Sequence, residues 1–214
     1  MKGEKILHSI ANAMSIILYP LFVPTYGMAL FCHAYNTQVN PLHPVWIVIA
    51  VTGTFLLTCL IPLSAIWIRI KRGVIQDIQI ENPEQRTIPY LYTALGFGFW
   101  AYLMIAILHA PLYIGFISLG ATGAIGLITL INRWWKISAH LTGMGGLLGG
   151  LFAYCLGIGA IPTIGTLCLW LGVTLALMYS RIYLKAHTAS QVSSGWLLGL
   201  ICTFLPYCIY WYAQ

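Results

Sequence analysis

The chain has 214 residues, 60% of them hydrophobic and 7% charged, and ten lysines and arginines against four acids give a net charge of +6. Soluble domains carry roughly 25% charged residues, so this composition, with a mean hydropathy of +0.86, excludes a water-soluble fold. The positive balance would suggest nucleic acid in a soluble protein. Here the cations sit in short segments beside apolar runs, so membrane topology accounts for them and no nucleic-acid partner is expected.

A helix needs about 20 apolar residues to cross the hydrocarbon core. In chain order this rule predicts seven spans, near 10–32, 45–68, 89–109, 112–131, 138–159, 162–180 and 191–212, with six as the lower count. The expected fold is an all-α polytopic transmembrane helical bundle, a single domain over 1–214. The first run follows Lys2 and Lys5 but is too long for a signal-peptide core of roughly 7–15 residues, so it reads as an uncleaved span. The six cysteines form no C-x-x-C pair and no disulfide-framework spacing; they read as small buried hydrophobes.

Charge divides the links into two sets. The segments 33–44, 109–111 and 157–162 contain no Lys, Arg, Asp or Glu, whereas the N-terminal tail and the segments 69–88, 132–137 and 180–190 contain all fourteen. The positive-inside rule places the charged face and the N-terminus in the cytoplasm and Gln214 outside. An integral protein of the bacterial inner membrane is expected, bathed in lipid bilayer, with its site on the cytoplasmic face and the periplasmic face as the alternative. Oligomeric state is not legible.

Each charged link carries residues suited to phosphate chemistry. The third reads Ser180-Arg181, then His187 and Gln191; the second, Ile137-Ser138-Ala139-His140; the first, Arg86-Thr87-Ile88-Pro89. Arginine forks match phosphate oxygens bidentately, helix N-termini add N–H groups and a favourable dipole, and one histidine can attack phosphorus while another protonates the leaving oxygen. His187 and Gln191 are four apart, hence on one face of a helical start. Arg133 and Lys136, beside Trp134 and Trp135, read as interfacial anchors, and Lys71, Arg72 and Lys185 mainly as headgroup-level cations. The G-x-x-x-G pairs 145/149, 146/150 and 195/199 predict close packing of the fifth and seventh spans, which would bring His140 and His187 together.

These segments resemble the signature of the type 2 phosphatidic acid phosphatase superfamily, whose third motif is Ser-Arg, five residues, His, three residues, Asp. Ser180-Arg181, His187 and Gln191 keep that spacing, with Gln191 in place of the acid. Ser138-Ala139-His140 is similar to the second motif, Pro-Ser-Gly-His. The first, Lys, six residues, Arg-Pro, survives as Arg86, with Gln79 where Lys belongs and Thr87 where Pro belongs. Two full spans separate Arg86 from His140, an unusual distance for that family.

The resemblance implies that His187 is the nucleophile, forming a phosphohistidine, that His140 is the acid, and that Gln191 orients His187. It implies that Arg86, Arg181 and Ser138 hold the phosphoryl oxygens. Neither a metal nor another cofactor is expected. The implied activity is a lipid phosphate phosphatase whose partner is a phosphorylated membrane lipid, either a phosphomonoester or an isoprenoid pyrophosphate. The alternatives are a phospho-head-group transferase using the same residues and an inactive membrane scaffold, which Gln191 keeps open. Many bacterial members of that family work on the periplasmic side. A transporter or channel is disfavoured because no Asp, Glu, Lys or Arg falls mid-span, and a retinal protein because no mid-membrane lysine exists.

Overall fold

A computed structural model describes residues 2–78, 80 and 82–212. Among these residues it contains nine α-helices and no strand: α1 (Lys2–Ile17), α2 (Val23–Gln38), α3 (Pro44–Phe55), α4 (Ile61–Lys71), α5 (Thr87–Tyr102), α6 (Leu112–Ile131), α7 (Ala139–Gly157), α8 (Ile164–Tyr183) and α9 (Ala189–Tyr212). A π-helical turn, Leu56–Leu60, joins α3 to α4 into one rod, and a 3₁₀ turn, Pro83–Arg86, leads into α5. Six helical rods are long and apolar enough to cross a membrane: Pro44–Lys71, Glu84–Ile107, α6, α7, α8 and α9. The chain is an all-α polytopic membrane bundle.

The predicted first span, 10–32, is not one helix. It divides into α1 and α2, of 16 residues each, about 24 Å at 1.5 Å per residue and short of the ~30 Å hydrocarbon core. The count of seven spans therefore becomes six. Pro20 lacks the N–H that would close a helical turn and disfavours helical backbone at Tyr19. Pro24 sits in the first turn of α2, where a missing N–H costs nothing.

The packing of α7 on α9 positions the site. A Cβ added at Gly145, Gly149, Gly195 or Gly199 would meet the carbonyl of Trp196, Leu200, Ser138 or Thr142 across that seam. The two backbones therefore touch, and near the start of the seam the Ser138 N–H donates to the Gln191 carbonyl at 3.3 Å. Gly199→Val is expected to destabilise the bundle by about 1–3 kcal/mol or more through overpacking. A lowered Tm in detergent would show it.

Alternation of the six rods gathers the described residues of 72–78, 80 and 82–86, with 132–138 and 184–188, on one face. The opposite face carries 39–43, 108–111 and 158–163, which contain no Lys, Arg, Asp or Glu. Gln79 and Gln214 lie outside the described residues.

Candidate active site

The three charged segments and the break between α1 and α2 converge on a cavity of about 60 Å³ lined by Arg86, His140, Arg181 and His187, with Tyr19 and Tyr90. All four of the first-named side chains are buried, none more than 7% exposed. Residues more than a hundred positions apart, Arg86 and His187 among them, are thus brought together.

The route from Arg181 to His187 is a helix ending. Lys185 sits in the left-handed region at φ 54°, the conformation with which helices commonly reverse. Its N–H donates to the Ile182 carbonyl, and the N–H groups of Ala186 and His187 both donate to the Arg181 carbonyl, at 3.1 and 3.3 Å. Five intervening residues are what this turn consumes in bringing His187 back to Arg181. Arg181 itself belongs to the last turn of α8, not to the predicted link. Lys185 is exposed and does not line the cavity.

His187 is held in one tautomer. Its Nδ1 lies 3.2 Å from the Lys136 carbonyl and 3.2 Å from Gln191 Oε1. The Thr188 N–H donates to that same Oε1 at 3.1 Å, which identifies it as the amide oxygen. Both partners can only accept, so Nδ1 carries the proton and Nε2 the lone pair. His187 precedes α9 instead of opening it, so the expected contact with Gln191 is made across the cap of that helix. Burial, with the Arg181 and Arg86 guanidiniums nearby, pushes the His187 imidazole down from 6.5 to about 4. It is therefore neutral near pH 7, the form that can attack phosphorus.

Gln191 accepts from His187 without a charge. Gln191→Asp is expected to replace a neutral hydrogen bond by a charge-assisted one, a difference on the order of 1 kcal/mol or about five- to tenfold in the rate of covalent phosphorylation. The same substitution raises the His187 pKa above about 4, because a carboxylate favours the imidazolium. A pH–rate profile checks both, as an upward move of the acid limb and a higher plateau.

His140 is held from the far end of the chain. Its Nε2 lies 3.0 Å from the Ser15 carbonyl in the last turn of α1; a carbonyl accepts, so Nε2 carries a proton and Nδ1 is the second ring position. The Tyr19 ring stands edge-on to it at 5.7 Å and 87°. Burial raises the Tyr19 phenol above its ordinary range, keeping it a donor, and the hydroxyl donates to the Ile78 carbonyl.

Arg86 ends the 3₁₀ turn that Asn82 caps by accepting from the Glu84 N–H at 3.0 Å. Its Nε donates to the Ile80 carbonyl at 2.6 Å. Ile80 adopts φ 45°, a conformation that costs a β-branched residue on the order of 1–3 kcal/mol, and in doing so presents its carbonyl to Arg86.

Ser138 is fully buried and its Oγ has no hydrogen-bond partner among the described residues. It does not line the cavity; its neighbour Ala139 does. Lys71 is exposed with its ammonium 5.6 Å from the Trp67 ring, and neither it nor Arg72 nor Arg133 reaches the cavity. Sequence reasoning missed the Ser15 and Lys136 carbonyls, Tyr19 and Ile80. The available signal was Tyr19-Pro20, a helix-breaking pair inside an apolar run.

No family model, no curated protein and no solved structure matches this chain. The residues themselves carry the chemistry: two buried guanidiniums suited to an oxyanion, and beside them a neutral imidazole with one nitrogen committed and the other basic.

Proposed function

We propose that the protein is a lipid phosphate phosphatase, a divergent relative of the type 2 phosphatidic acid phosphatases, acting on a membrane phosphomonoester or isoprenoid pyrophosphate. The observation that carries this reading is the orientation of His187. Its Nδ1–H is spent on Lys136 and Gln191, and the ring lines a cavity shared with Arg86, Arg181 and His140. Arg86 and Arg181 hold the phosphoryl oxygens and stabilise the charge that builds in the transition state. The Nε2–P bond forms as the P–O bond to the lipid breaks, and the departing oxygen takes a proton from Nδ1 of His140, whose Nε2–H stays on the Ser15 carbonyl, so His140 enters this step as the imidazolium, a form the bound anion favours. Water then attacks the phosphohistidine and gives a proton to Nδ1 of the now neutral His140, releasing inorganic phosphate and restoring both histidines.

The cavity lies at the charged end of the rods, so a lipid presents its headgroup there while its tail stays in hydrocarbon. The concentration of cations on this face favours the cytoplasmic side of a bacterial inner membrane. Purified protein in detergent is expected to release phosphate from at least one lipid of a phosphomonoester and pyrophosphate panel, with chelator present. Added alcohols that divert the phosphoryl group identify a transferase. Equal background release by wild type and His187→Ala across the panel identifies a scaffold and overturns this reading.

A further inference from the structure

A second cavity, of about 140 Å³, continues from the first into the bundle. The two share Pro20, Leu21, Tyr90, Thr93 and Ala139 in their walls. From Tyr90 to Trp100 its α5 wall runs ten helical steps, about 15 Å at the α-helical rise and thus about half of the ~30 Å hydrocarbon core. It is therefore about as deep as one leaflet.

Its walls are hydrocarbon in character despite several hydroxyls. Thr54, Thr58, Thr93, Thr142 and Thr203 each donate to a carbonyl one turn back on their own rod, at 2.7 to 3.0 Å. This back-bonding satisfies their protons within the helix and leaves little to recognise a polar solute. An apolar void does not hold ordered water, so the chemistry of the slot suits an alkyl or prenyl chain.

The slot is ringed and floored. Around it α2 packs on α3 and α7, the turn between α3 and α4 packs on α5, and α6 packs on α5 and α7. Its inner end is formed by Phe31, Trp100 and Ile117, which belong to the solid core of the far half of the bundle. Phe31 stacks on Tyr154 at 4.5 Å and 7°, and the Trp100 ring occupies the space a Cβ on Gly53 would take. That floor has no slack.

Resting on the phosphatase reading for the headgroup, we propose that the slot takes one hydrocarbon tail of the substrate and that Phe31, Trp100 and Ile117 set the longest tail accepted. A tail leaving the bilayer for the slot gains no hydrophobic free energy, because lipid is as apolar as the wall. Discrimination therefore comes from fit at the floor.

The test is a series of single-chain alkyl and prenyl phosphates of increasing length, assayed for kcat/KM in mixed micelles. Wild type is expected to rise with length and then fall by about tenfold or more once the tail outgrows the slot, the scale on which apolar pockets discriminate methylenes. Ala124→Phe, which fills the middle of the slot, should move that break to shorter chains, and Phe31→Ala, which lowers the floor, should move it to longer ones. Opposite shifts cannot come from general misfolding. A profile without a break, or one unmoved by both variants, overturns the slot. A second readout is independent of turnover: an alkyl phosphate photolabelled at its tail end should crosslink to peptides containing Phe31 or Trp100. Crosslinks confined to the outward-facing Leu95 surface overturn the slot even if hydrolysis is seen. Crosslinking at Phe31 with no hydrolysis of any lipid retires the phosphatase reading alone.

Discussion

Alanine at position 187 is expected to lower phosphate release by about 10⁴-fold or more and to abolish any covalent phosphoprotein. Losses of this size follow removal of a nucleophile that acts as a unit with its acid and its oxyanion donors. The side chain is small in energetic terms for the fold: the bonds it loses are to Lys136 and Gln191, at 3.2 Å each. The turn that delivers it is held by backbone bonds to Arg181, which alanine keeps. A Tm near that of wild type is therefore expected alongside the lost activity. Rapid quenching with denaturant at alkaline pH, using a ³²P-labelled lipid, should trap an acid-labile, base-stable phosphoprotein in wild type and none in the variant. Trapping that survives the substitution would move the nucleophile elsewhere, His140 being the other imidazole on the cavity.

Arg181→Met is expected to cost about 10²–10³-fold in kcat/KM, the range for loss of one preorganised donor to a developing oxyanion, and also to change the pH profile. In the wild type the acid limb of kcat/KM belongs to free His187, held down at about 4 by burial first and by Arg181 next. Removing the guanidinium removes repulsion against the imidazolium, so the limb moves upward toward 6.5, short of it because burial and Arg86 remain. The sign for stability follows from the same depression. An unfolded chain protonates this imidazole near 6.5 while the fold resists until about 4, so the unfolded state binds more protons and stability falls as pH drops through that window. Arg181→Met should shrink that pH-dependent loss. A methionine variant that is slower but keeps the acid limb of wild type would show that Arg181 binds substrate without setting the state of His187.

The sequence by itself determined the class of fold, the gathering of the charged links on one face and four of the residues at the cavity. A membrane core without water admits only helices and closed barrels, whose backbone bonds are all satisfied, so hydropathy alone marks five rods to within a few residues and the sixth, Glu84–Ile107, somewhat less closely. The spacing of His187 and Gln191 also reads directly, because side chains four apart meet at a helix start.

What the tertiary structure decided is everything that depends on a neighbour. Three of the prolines inside apolar runs have three outcomes. Pro62 follows the wide turn Leu56–Leu60, Pro206 lies within α9, and Pro20 separates α1 from α2. Whether a freed carbonyl finds another donor is a property of the packing around it, which local sequence does not contain. The same holds for the site. The Ser15 carbonyl on His140 comes from 125 residues away, and it is there because α1 stops at Ile17. The apolar slot beyond it is a space between helices, so no residue encodes it: the glycine seam of α7 and α9, the ring closed by α2 and the aromatic floor create it together.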